Sequence, residues 1–106
     1  MKQTEELLRR VALHDEGVVQ AVLAGEPGAA CVRALDPKTR ALVSLGGPLA
    51  MAAGITSLKG MTEAGYEAGT TDEQIVGVLV AVGPHLGLVG LVREAPRLAL
   101  AIGYDV

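Results

Sequence analysis

Thr71-Asp72-Glu73-Gln74-Ile75-Val76-Gly77-Val78-Leu79-Val80-Ala81-Val82-Gly83-Pro84-His85-Leu86-Gly87 is the stretch on which the fold turns. Thr71 followed three residues later by Gln74 is a capping box. The threonine hydroxyl accepts from one orphan backbone N–H of the first turn, and the glutamine side chain reaches back to another. By periodicity alone Val78 to Val82 would also suit a buried strand. The cap before the run decides for helix. Gly83-Pro84 predicts a bend or a stop, because proline lacks the N–H and clashes with the preceding turn. A last helical region is expected from Leu86 to Ile102, with Pro96 as a further kink or restart, and Gly103-Tyr104-Asp105-Val106 as a tail.

Upstream, the same start and stop signals recur. Thr4 can cap a first helix with Leu7, Leu8, Val11 and Ala12 on its apolar side. His14-Asp15-Glu16-Gly17 is a break, and Asp15 is a good N-cap for a second helix carrying Val18, Val19, Ala21, Val22 and Leu23 to Gly25. Glu26-Pro27-Gly28 reads as a turn, and Ala29 to Leu35 is ambiguous. Asp36-Pro37 combines an N-cap with the residue preorganised for the first helical position. That helix continues through Leu49 to Gly54, with Gly46-Gly47-Pro48 kinking it or thinning it for close packing. Thr56 or Ser57 opens another helix to about Ala68, closed by Gly69. No stretch alternates with period two. The expectation is an all-α, compact multi-helix domain over residues 1–106.

The chain has 106 residues, half of them apolar, yet only two tyrosines, no Phe and no Trp. A core must come from Leu, Val, Ile, Ala and Met. This much apolar surface exceeds what one small monomer hides, so homo-oligomerisation is expected. A net charge of −3 with scattered basic residues argues against nucleic acid as partner. Glycines, prolines and charge interrupt every long apolar run, so no membrane span is expected. The polar, acidic start Met1-Lys2-Gln3-Thr4-Glu5-Glu6 does not read as a signal peptide. A single cysteine, Cys31, cannot form an internal disulfide and is expected to be a buried, inert thiol. A cytoplasmic location follows as the expectation.

Leu35-Asp36-Pro37-Lys38-Thr39-Arg40 and Ala64-Gly65-Tyr66-Glu67-Ala68-Gly69, followed by Thr70-Thr71-Asp72-Glu73-Gln74-Ile75, resemble the carboxymuconolactone decarboxylase-like family. The second passage is similar to that family's A-x-x-x-G-x-T-x-x-E-I, with Gly65 in place of the usual Ala. The resemblance runs over roughly Asp15 to Gly103. It implies an all-α fold assembling as a homotrimer or homohexamer, and one of two chemistries: decarboxylation of a muconolactone, or thiol-dependent peroxide reduction by alkyl hydroperoxidase D-like members. The peroxidase motif C-x-x-C-x-x-x-H falls on Gly54, Ser57 and Met61, and its acidic partner near Leu42. None of these can supply a thiolate, a resolving thiol or a base. Thiol peroxidase activity is therefore not expected. The decarboxylase branch often keeps the histidine, which here is Met61.

His85 remains as the candidate catalytic acid, since its ordinary pKa suits proton transfer at neutral pH and it sits in the glycine-flanked bend Gly83-Pro84-His85-Leu86-Gly87. Arg40, Lys59 and Met61 are candidate substrate-binding residues, the two cations as anchors for a carboxylate. Ion pairing of Arg40 with Glu63, Glu67 or Glu73, a solvated Lys59, a structural His85 and a His14 exposed at a helix start are the blander readings. Met51 and Met61 are expected in the core. No metal and no external cofactor are implied. Two functions follow: a divergent decarboxylase-like enzyme acting on, or binding, a small carboxylated metabolite, or a non-catalytic oligomeric binding or scaffold protein that has lost the family's site.

Overall fold

A computed structural model of the chain describes residues 2–24 and 35–104, and among these the chain is all-helical. Cys31, the turn Glu26-Pro27-Gly28 and the ambiguous segment up to residue 34 lie outside the described residues. Contacts group the chain into two compact units, Met1–Leu35 and Asp36–Val106, each considered by itself.

The first unit holds α1 (Lys2–Ala12) and α2 (Glu16–Leu23). His14, expected at a helix start, instead closes α1. It takes a left-handed backbone (φ 57°), its N–H donates to the Val11 carbonyl at 3.0 Å, and the Asp15 N–H donates to the Arg10 carbonyl at 2.8 Å. These are the paired bonds of a Schellman C-terminus. Asp15 then caps α2, accepting from the Val18 N–H at 3.3 Å and from Arg10 Nε at 3.0 Å. Val18 and Ala21 are buried.

The second unit holds α3 (Pro37–Ala50), α4 (Ile55–Glu67) and α5 (Asp72–Ile102). The Asp36 carboxylate accepts the Thr39 N–H at 2.7 Å, as Asp36-Pro37 predicts. α4 begins at Ile55 on Gly54, earlier than Thr56 or Ser57, and without a side-chain cap. Gly69 (φ 93°) closes it, with the Thr70 N–H on the Gly65 carbonyl at 3.0 Å. Both halves of the Thr71–Gln74 capping box are made, at 3.0 and 3.2 Å.

α5 departs from expectation. The helix passes through Gly83 and Pro84 and breaks at Gly87 (φ 73°, ψ 177°). That backbone region is essentially open to glycine alone, whereas a proline can be absorbed by a loosened turn. The break reverses the chain. Tyr104 Oη lies 2.8 Å from Asp72 Oδ2, although 32 residues separate them; an unbroken helix would hold them about 48 Å apart. Gly90 supports the reversal, since a Cβ there would meet Leu86 Cβ at 3.0 Å.

Leu45 and Leu49 of α3, Leu58 of α4 and Ile75, Leu79 and Leu98 of α5 form the core. Each contributes roughly 1.5–3 kcal/mol on burial. Gly46 brings α3 close to α5, where its absent Cβ would face Val82 and Val78 at 3.6 and 3.9 Å. Met51 and Met61 are exposed, which corrects their placement in the core. Met51 follows the last turn of α3, and the buried stripe of α4 runs through Leu58, Thr62 and Gly65, leaving Met61 at its edge.

Two glycine substitutions on α5 should move stability in opposite directions. Gly87→Ala, forced to a positive φ, is expected to lower unfolding free energy by about 1–3 kcal/mol. Gly77→Ala, in mid-helix with open space around it, should raise it by about 0.4–1 kcal/mol. Urea unfolding followed by circular dichroism measures both.

Candidate functional site

The two arms of α5 enclose a groove of about 500 Å³. The first arm contributes Val76 and Leu79; the second contributes Ala95, Pro96, Leu98, Ala99 and Ile102, and Tyr104 closes one end. The three- and four-residue spacing puts each set on one helical face. The volume is that of a small-molecule site, and the walls are apolar.

A polar cluster sits at the Tyr104 end. Gly103 (φ 98°) ends α5 in a Schellman turn, with the Tyr104 N–H on the Ala99 carbonyl at 2.8 Å, and so aims the tyrosine back at the start of the helix. The Asp72 carboxylate accepts the Tyr104 hydroxyl on Oδ2 at 2.8 Å and the Tyr66 hydroxyl on Oδ1. The Tyr66 and Tyr104 hydrogen bonds hold the Asp72 carboxyl below the usual carboxylate range. Burial first, then the Asp72 carboxylate, push the Tyr66 phenol up to about 12. Asp72 likewise raises Tyr104, with Glu73 adding to it.

A second cluster lies within the second arm of α5. Glu94 is 0% exposed, accepting from Arg93 Nε at 2.7 Å and Arg97 Nε at 3.3 Å. Arg97 also donates to the Ala53 carbonyl in the turn before α4, where Ala52 takes a left-handed backbone (φ 53°). A carboxylate held by two guanidiniums is compensated where a bare one would be prohibitive. This arrangement ties the second arm of α5 to the α3–α4 turn. Thr70 Oγ1 is buried without a hydrogen-bond partner. It lies against Gly65, where a Cβ would come within 3.1 Å of it, so glycine at this position makes room for Thr70.

The residues expected to form a site are not among those lining the groove. His85 is exposed on the first arm of α5, two residues before the break. Lys59 and Met61 are exposed on α4, and Arg40 lies one turn into α3. Among the described residues no group of three or more His, Cys, Asp or Glu could hold a metal ion. Sequence reasoning missed Tyr104, Asp72 and Glu94. The available signals were Gly103-Tyr104 as a helix-ending pair, whose second residue packs back on its own helix, and Arg93-Glu94 with Arg97 as charge inside an apolar helix. The chain matches no family model, no curated protein and no solved structure.

The two tyrosines are the only ones in the chain, so their ultraviolet titration reports this cluster directly. A phenol raised by folding stabilises the fold below its ordinary value near 10, and that contribution is lost as pH rises toward about 12. In the folded protein both tyrosines should ionise above pH ~10, and in Asp72→Asn both should ionise at lower pH than in wild type.

Proposed function

We propose that this protein is a non-catalytic homo-oligomeric binding protein, a divergent relative of the carboxymuconolactone decarboxylase-like family, whose α5 groove takes up a small, largely apolar molecule. The observation that carries this reading is the groove itself: of useful volume, walled by aliphatic side chains, and lined by none of His85, Arg40 and Lys59. Binding there would be driven by removing apolar surface from water. Self-association is supported by the large aliphatic residues left outside the core. Val80, Leu88 and Val89 are 71%, 78% and 79% exposed, and Val92 is 63%. A trimer or hexamer would cover them. Under this reading the protein works without a cofactor in the cytoplasm.

The segment 72–102 also contains an 18-residue window of mean hydropathy 2.2, long and apolar enough to cross a membrane by composition. Its break leaves two arms of about 15 residues, roughly 22 Å each, against a hydrocarbon core of about 30 Å.

The second reading is a decarboxylase-like enzyme acting on a small carboxylated metabolite. The exposure of His85 beside the α5 break favours it, because the side chain is open to a substrate. His85 would then protonate the carbanion left by carbon dioxide, and Arg40 or Lys59, with Met61 alongside, would hold the substrate.

Light scattering and thermal shift test the proposal together. The expected results are a trimer or hexamer, and a rise in Tm with neutral apolar compounds. At a ligand concentration tenfold above Kd the gain is about 1.4 kcal/mol, or roughly 5–10 °C. His85→Ala should leave this shift unchanged, and Ala99→Trp, which fills the groove, should remove it. A carboxylated compound consumed by wild type and spared by His85→Ala would establish the enzyme reading instead; a monomer would remove assembly from the proposal.

A further inference from the structure

The groove is asymmetric in its polarity. Its walls are aliphatic until Tyr104, and the Tyr104 hydroxyl is bonded to a carboxylate, so Asp72 stands one hydrogen bond beyond the lining. The partners of Asp72 are the two phenol hydroxyls, one on each oxygen. A carboxylate offers about four acceptor positions, so each oxygen keeps capacity for a further donor. Asp72 is exposed, and Glu73 follows it on the same first turn. Among the described residues no cation pairs with Asp72.

We propose that the groove selects amphipathic primary amines, with the apolar body between the arms of α5 and the ammonium group at the Asp72 carboxylate beside Tyr104. The inference rests on the reading of the groove as a binding site and adds the charge of what it takes. An ammonium donates up to three hydrogen bonds and accepts none, which matches acceptors left open at the end of a wall that offers nothing else polar. A neutral alcohol gains the wall and a weaker bond. A carboxylate gains the wall but faces Asp72 and Glu73, two charges of its own sign. The preference is therefore the reverse of the carboxylated ligand implied by the family resemblance.

Isothermal titration of the full chain at pH 7 with n-octylamine, 1-octanol and octanoate tests this, because the three share one apolar body. In wild type, octylamine should bind about three- to tenfold tighter than octanol, the size of a charge-assisted bond at a partly solvated site, and octanoate should bind more weakly than octanol. Asp72→Asn should bring octylamine down to the octanol affinity while octanol still binds through the apolar wall. Asp72→Ser repeats the comparison if the asparagine variant has lost octanol binding through misfolding. Ala99→Trp should abolish binding of amine and alcohol alike, and Glu63→Gln, which removes a carboxylate elsewhere on the unit, should keep the preference. Equal affinity for amine and alcohol in wild type, or a preference that survives both Asp72 variants, overturns the inference and leaves the groove reading standing. Absence of binding by all three in wild type overturns both.

Discussion

The reversal at Gly87 is the constraint on which the second unit depends. A helix of 31 residues running straight would carry its two ends far apart and present its apolar faces to nothing. Broken at a backbone conformation that only glycine adopts freely, the same residues become two arms. Ile75 and Leu79 on one arm then share a core with Leu98 on the other, and both face Leu45, Leu49 and Leu58. The groove, the Tyr104–Asp72 bond and the approach of Leu91 to Gly83, where a Cβ would stand 3.7 Å away, are all consequences of that one break.

The hairpin is held at its open end and anchored in its second arm. At the open end, two phenols converge on one carboxylate, Tyr66 from α4 and Tyr104 from just beyond the Gly103 cap of α5. In the second arm, Glu94 gathers Arg93 and Arg97, and Arg97 extends the contact to the Ala53 carbonyl. Aliphatic packing is non-directional and tolerates many registers. Directional bonds do not, so these two clusters, one on the buried Glu94 and one on the exposed Asp72, supply the register that a core lacking Phe and Trp leaves loosely specified. The outer faces remain apolar at Val80, Leu88, Val89 and Val92, which is the surface the proposed assembly would cover.

Local chemistry was the legible part of the sequence. The all-helical class, the Asp15 and Asp36 caps, the Thr71–Gln74 box and the closing glycine Gly69 each depend on a few neighbouring residues, and the structure places them as read. What escaped depends on contacts across the chain. Gly83-Pro84 and Gly87 are both strong punctuation, and choosing between them requires knowing where the chain must reverse to bring Ile75 against Leu98. Met51 and Met61 are apolar by type, yet their faces are set by packing. Tyr104 looked like a tail because its partner is 32 residues away. The candidate site residues Arg40, Lys59, Met61 and His85 were drawn from three different helices through a resemblance, whereas the groove is walled by two arms of a single helix.

The distance across the hairpin tests the account most directly. Spin labels at Glu73→Cys and Leu100→Cys, in a Cys31→Ser background that removes the single native thiol, sit near opposite ends of α5, and pulsed dipolar spectroscopy reads their separation. A chain that reverses at Gly87 gives a distribution centred below about 25 Å, whereas 27 residues of unbroken helix span about 40 Å. A distribution centred near the longer distance would contradict the reversal, and with it the groove and everything proposed to bind there.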